Sequence, residues 1–89
     1  MAKWEYLRYW VQPYLEMWIA PASKANLQWL SQSYPSIKLE VDKDSQILNI
    51  FPQAEDWTEV HYAIIDHLGA EGWEPFAITE LCIHFKRSR

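Results

Sequence analysis

Cys82 and His84 alternate along a β-prone run near the end of the chain. A thiol beside an imidazole is the smallest set from which nucleophilic catalysis is built. On one strand, side chains two residues apart share a face but stand ~6.5–7 Å apart, too far for a direct hydrogen bond without a bend. The plainer reading of the pair is a small apolar side chain beside an edge-exposed imidazole. The other two histidines, His61 and His67, fall about 120° apart around a helix and cannot both ligate one metal from it. His61 lies inside an apolar arc and reads as a core residue with one satisfied hydrogen bond, with a pH-sensitive group or a ligand contact as the sharper alternative. His67, in a last helical turn, suits the negative end of the helix when protonated. No phosphate-cradling glycine loop, paired-carboxylate pattern or nucleophile elbow occurs. These residues predict neither an enzyme nor a bound metal or cofactor.

Elements that must position such residues are limited by size. With 89 residues and 10.6 kDa, the chain makes one domain and no more. Folding at this mass buries roughly 64% of the extended chain's area, enough for one modest core. Apolar residues make up 49% and charged residues 22%, a globular rather than disordered balance. Cys82 is the single cysteine, which excludes an internal disulfide or a multi-cysteine zinc site and fits a reducing, cytoplasmic setting. No run approaches the ~18 apolar residues of a membrane span, and the charged start at Lys3, Glu5 and Arg8 predicts no secretory signal. The net charge of −4 argues against bulk nucleic-acid binding, although Lys3, Arg8, Lys86, Arg87 and Arg89 lie near the two ends.

Residues 4–11 are aromatic and β-branched and read as a strand; Pro13 interrupts it, and 15–20 could resume as a second strand. Ser23 is placed to cap a short helix over 23–33, with Leu27, Leu30 and Tyr34 at helical spacing and Pro35 as its stop. Ile37, Leu39 and Val41 alternate with Lys38 and Glu40, and the run 47–51 answers them across a polar loop, the clearest hairpin in the chain. The strongest local signal is a helix over 57–68. There Trp57, Val60, His61, Ile64, Ile65 and Leu68 fall within one ~140° arc, opposite Thr58, Glu59, Tyr62 and Asp66. Asp56 and Glu59 have capping-box spacing, and Gly69 is placed for a left-handed helix end. Gly72 turns the chain into Trp73, which can fold back over Leu68. Two more strands follow over 73–79 and 81–87, with Pro75 pushing the first toward an edge or a bulge. The Thr79-Glu80 step is poor chemistry for a two-residue turn.

Three short runs are also carried in order: Trp4-Glu5-Tyr6, Leu68-Gly69-Ala70-Glu71-Gly72-Trp73-Glu74 and Phe85-Lys86-Arg87. In these the chain resembles the domain of unknown function 4177 family of small prokaryotic and phage proteins, over roughly residues 3–11 and 55–87. The resemblance implies a short antiparallel sheet with one helix across a face and no established catalytic activity. Residues 13–54 then stand as an insertion within a single domain of 1–89, and Pro75 departs from the aliphatic usual at its position.

Overall, the fold class is α+β: an antiparallel sheet of four to six strands, the amphipathic helix on one face, and a second short helix. The sheet carries a surplus of rings, because the chain holds 6 Trp, 5 Tyr and 3 Phe. Residues 4–11 show Trp4, Tyr6, Arg8 and Trp10 on one face and Glu5, Leu7, Tyr9 and Val11 on the other. Whichever face meets the helix, the opposite one keeps large apolar groups. At ~150–250 Å² per ring, three uncovered rings exceed what monomers normally expose. Either 13–54 covers that face from within the chain, or a second copy or another protein does. The Trp and Tyr content favours a partner. The expected function is therefore a non-enzymatic protein–protein interaction module, an accessory subunit or a homo-oligomer, binding through Tyr9, Trp10, Trp18 and Trp29. The alternative is a single-stranded nucleic-acid binder that stacks bases on the sheet and draws on the terminal cations.

Overall fold

Alternation decides the first strand and, with it, which side of the sheet becomes the core. The computed structural model describes residues 3–88. Strand β1 (Trp4–Gln12) turns Leu7 and Tyr9 inward to full burial, while Trp4, Tyr6 and Arg8 stay in water. Strand β2 (Glu16–Ala20) returns antiparallel through a turn at Tyr14 and buries Met17 and Ile19 on the same side. Helix α1 (Lys24–Ser33) starts where the Ser23 hydroxyl accepts from the Asn26 N–H at 3.1 Å and ends at Tyr34, ahead of Pro35. Strands β3 (Lys38–Asp42) and β4 (Ile47–Phe51) form the hairpin. Its loop is held by the Asp42 carboxylate, which accepts from the amides of Asp44 and Ser45. Helix α2 (Trp57–Ala70) follows, then β5 (Glu74–Thr79) and β6 (Cys82–Ser88).

All strand pairs are antiparallel, in the order β3-β4-β2-β1-β6-β5. This is an α+β fold of one six-stranded sheet with two helices. Both helices lie on one side, because Leu30 of α1 and Val60, Ile64 and Leu68 of α2 join Leu7, Tyr9, Met17, Ile19, Leu48, Ile50 and Phe85 in a single core. Residues 13–54 thus extend the sheet by three strands and add a helix to the side already covered.

Two of the local expectations fail, for identifiable reasons. Asp56 and Glu59 form no capping box: a 3₁₀ turn (Ala54–Asp56) runs directly into α2, so Asp56 takes helical angles (φ −99°, ψ −5°) and its side chain caps nothing. Carbonyls of the turn accept the first amides instead, that of Ala54 from the Trp57 N–H. Gly69 does not end the helix either. The left-handed residue is Gly72 (φ +89°), and the Trp73 and Gly72 amides reach back to the carbonyls of Leu68 and Gly69, both at 3.0 Å. That is a Schellman end, with Trp73 packed into the core that holds Leu68. The two glycines should therefore respond oppositely to alanine. At Gly69, a β-carbon meets nothing within 4 Å, and Gly69→Ala should raise stability by about 0.5–1 kcal/mol. At Gly72, the positive φ makes Gly72→Ala cost about 1–2 kcal/mol. Urea unfolding of the two variants measures both signs.

The last hairpin closes through Glu80 and Leu81, with Glu80 forced to φ +50°. A two-residue turn therefore forms despite its chemistry. Pro75 lies on the edge strand, and the register slips between Pro75 and Ala77, so that Phe76 is the bulged residue.

Candidate interaction face

The side of the sheet away from the helices is carpeted with rings. Trp10 pairs with Trp18 across β1 and β2, and the two indoles stack at 5.9 Å and 14°. Arg8 lies over the Trp18 ring at 5.4 Å. Toward the end of β6, the Lys86 ammonium sits 4.6 Å from the Trp4 ring and 5.7 Å from Phe76, and Phe76 meets Tyr6 edge-on at 6.1 Å. On the other flank Lys38 lies over Phe51. Trp4, Tyr6 and Phe76 are 44%, 60% and 50% exposed. Trp10, Trp18 and Phe51 are half-buried by their neighbours. Among the described residues no helix or loop covers these rings. A cavity of about 420 Å³ opens beside them where β2 gives way to Pro21, with Tyr6, Arg8, Phe76 and His84 in its wall.

The face is of mixed charge. Arg8, His84 and Lys86 stand on the β1–β6 half, with Glu74 across from Lys86 on β5; Glu16, Glu40 and Asp42 stand on the β2–β3 half with Lys38. Lys38 is paired with Glu40 at 3.2 Å. Arg8 and Lys86 make cation–π contacts and have no ion pair among the described residues. Arg87 points to the other side, over Trp73 at 4.3 Å and toward Glu5 at 3.4 Å. Arg89 lies outside the described residues.

The four expected contact residues do not form one surface. Only Trp10 and Trp18 come together. Tyr9 is fully buried and touches no solvent, because alternation sends it with Leu7 toward the helices. Its hydroxyl lies 2.9 Å from His61 Nδ1 and 3.3 Å from Met17 Sδ, and burial drives the phenol far above its ordinary pKa. Trp29 is half-buried in the helical layer, stacked on His67 at 4.0 Å and 6°. There His67 also reaches the buried Asn26 at 3.2 Å and ties α2 to α1. The alternation of 4–11 showed the two ring-bearing faces; which one the helices would choose was not readable locally. Phe76 was missed because the bulge that turns it onto this face is a feature of pairing.

Comparisons of the chain with family models, with curated proteins and with solved structures found no match. The geometry alone must carry the functional reading. Cys82 and His84 share the open face, yet the imidazole Nε2 is engaged by the Thr79 hydroxyl at 2.8 Å, and burial raises the half-buried thiol's pKa against the pull of Arg8. The thiol is held protonated, the form that does not attack. No group of three or more His, Cys, Asp or Glu residues is disposed to hold a metal ion among the described residues, and no helix there is long and apolar enough to cross a membrane.

His61 is half-buried at the edge of the core, stacked 5.0 Å from Trp57 and with its Nδ1 2.9 Å from the Tyr9 hydroxyl. Burial lowers its pKa, so the folded chain prefers the neutral ring. The unfolded chain binds that proton at pH ~6.5, the folded chain only at lower pH. Its contribution is then whole above about pH 6.5 and is lost as the pH falls below that value. Between about pH 7.5 and pH 5.5 the protein should lose more stability in urea than His61→Phe, which keeps the stack without the titration.

Proposed function

We propose that this is a non-enzymatic protein–protein interaction module that binds through the helix-free face of its sheet. The observation that carries the reading is that both helices pack on one side, leaving Trp4, Tyr6, Trp10, Trp18, Phe51 and Phe76 on the other. Isolated exposed rings are ordinary on a protein surface. Six gathered on one face, with Trp4, Tyr6 and Phe76 44–60% exposed, form the kind of apolar patch that marks an interaction site, and aromatic residues with Arg are what interface centres select. The inserted strands enlarge this surface, so the residues particular to this chain build half of it. Kinship with the domain of unknown function 4177 family belongs to the same proposal; the order of β1, α2, the Gly72 turn and the β5–β6 hairpin supports it.

Rings beside Arg8 and Lys86, which have no ion pair among the described residues, also suit stacked bases. The same face, however, carries Glu16, Glu40, Asp42 and Glu74, which repel a phosphate backbone and suit a protein of mixed charge. The test is native mass measurement of the full chain taken gently from lysate. A species well above 10.6 kDa that survives nuclease treatment is expected. A companion removed by nuclease would move the reading to nucleic acid, and a bare 10.6 kDa species would overturn it.

A further inference from the structure

Resting on that reading, we infer that the occupant of the open face is a second copy of this chain, laid sheet against sheet about a two-fold axis parallel to the strands between β1 and β2. The strand order supplies the first argument. In β3-β4-β2-β1-β6-β5 the midline falls between β2 and β1, with three strands on either side. Across it runs one lateral row: Glu40, Asn49, Trp18, Trp10, Cys82, Thr79. Rotation about the midline lays Trp10 on Trp18 of the second copy, Asn49 on its Cys82 and Glu40 on its Thr79. The stacked indole pair becomes the centre of the interface, where hot spots cluster.

Charge supplies the second argument. The same rotation sets the half bearing Arg8 and Lys86, with Glu74, over the half bearing Glu16, Glu40 and Asp42, with Lys38, so a side of net positive charge meets one of net negative charge, and His84 comes over Ile47 beside Asp42 of the second copy. A two-fold across the strands would instead return each half to its own kind. The third is area. The exposed parts of six rings of ~150–250 Å² each when whole come to several hundred Å², and Arg8, Ile47, His84 and the polar side chains among them carry the face toward the ~800 Å² per partner that stable interfaces use.

The test places one cysteine on each edge strand in the full chain with Cys82→Ser: Glu40→Cys in one variant, Thr79→Cys in another. A bis-maleimide whose reach matches the ~10 Å spacing of packed sheets is added to each alone and to an equal mixture. The mixture should give a covalent dimer in yield on the order of tenfold above either variant alone, because like positions then lie five strand spacings, ~24 Å, apart. Adding Trp10→Ala and Trp18→Ala to both variants should abolish the product. Cross-linking of Glu40→Cys with itself, or a monomer at 100 µM (about a hundred times a micromolar Kd) by sedimentation, would overturn the two-fold. In either case a different protein that loses binding on Trp18→Ala leaves the reading of the face intact, and one indifferent to it removes both.

Discussion

Phe85→Ala should cost about 3–5 kcal/mol and lower the melting temperature by roughly 12 °C or more. Phe85 is 2% exposed and pairs with Leu7 on β1, so its ring lies under the helices and helps hold the β5–β6 hairpin to the core. Removing it forfeits transfer energy and leaves a void that a close-packed sheet cannot fill. For an 89-residue domain, total stability is about 4–13 kcal/mol, so the loss brings the protein to the edge of unfolding. Phe76 is the control. It belongs to the same hairpin but faces the other way, 50% exposed, touching Tyr6, His84 and Lys86. Phe76→Ala should cost about 1 kcal/mol or less. Thermal unfolding followed by circular dichroism separates the two; equal losses would mean that the open face is packed as tightly as the core.

How much of this was legible follows from how local each signal is. The 37–51 hairpin and the 57–68 helix rest on alternation and on helical periodicity within single segments, and both form where those patterns lie. Ser23 caps α1 because a cap needs only the next three residues. Tyr9 is buried rather than at a contact surface, and its strand alone does not tell, because Trp4, Tyr6 and Trp10 make one face of β1 as apolar as Leu7, Tyr9 and Val11 make the other. Only the long-range packing of Phe85, Ile64 and Leu68 breaks that tie. The capping box at Asp56 failed to a 3₁₀ turn that no residue type announces. Gly69 and Gly72 are equally able to go left-handed. The choice falls to Gly72 because only that end folds Trp73 back to the Leu68 carbonyl at 3.0 Å. Strand order is the least local property of all, and with it went the knowledge that 13–54 would widen the open face rather than cover it.

Trp18→Ala should weaken binding of whatever occupies that face by about 30-fold or more, while the fold survives. A central Trp in an interface is typically worth 2 kcal/mol or more on truncation, and each 1.4 kcal/mol is a factor of ten. Within the monomer the same change loses less. The Trp10 stack is worth about 0.5–1.5 kcal/mol and the Arg8 contact about 0.5–1 kcal/mol, both partly offset by removing an apolar surface from water. Trp29→Ala supplies the opposite pattern. That ring lies against His67 on the helical side, so its removal should lower the melting temperature and leave affinity where it was. Measuring both quantities on both variants gives a crossed result that neither general destabilisation nor general stickiness can produce. Should Trp18→Ala bind as wild type does, the rings of the open face are ballast rather than contact, and the surface of the helical layer becomes the place to look for a partner.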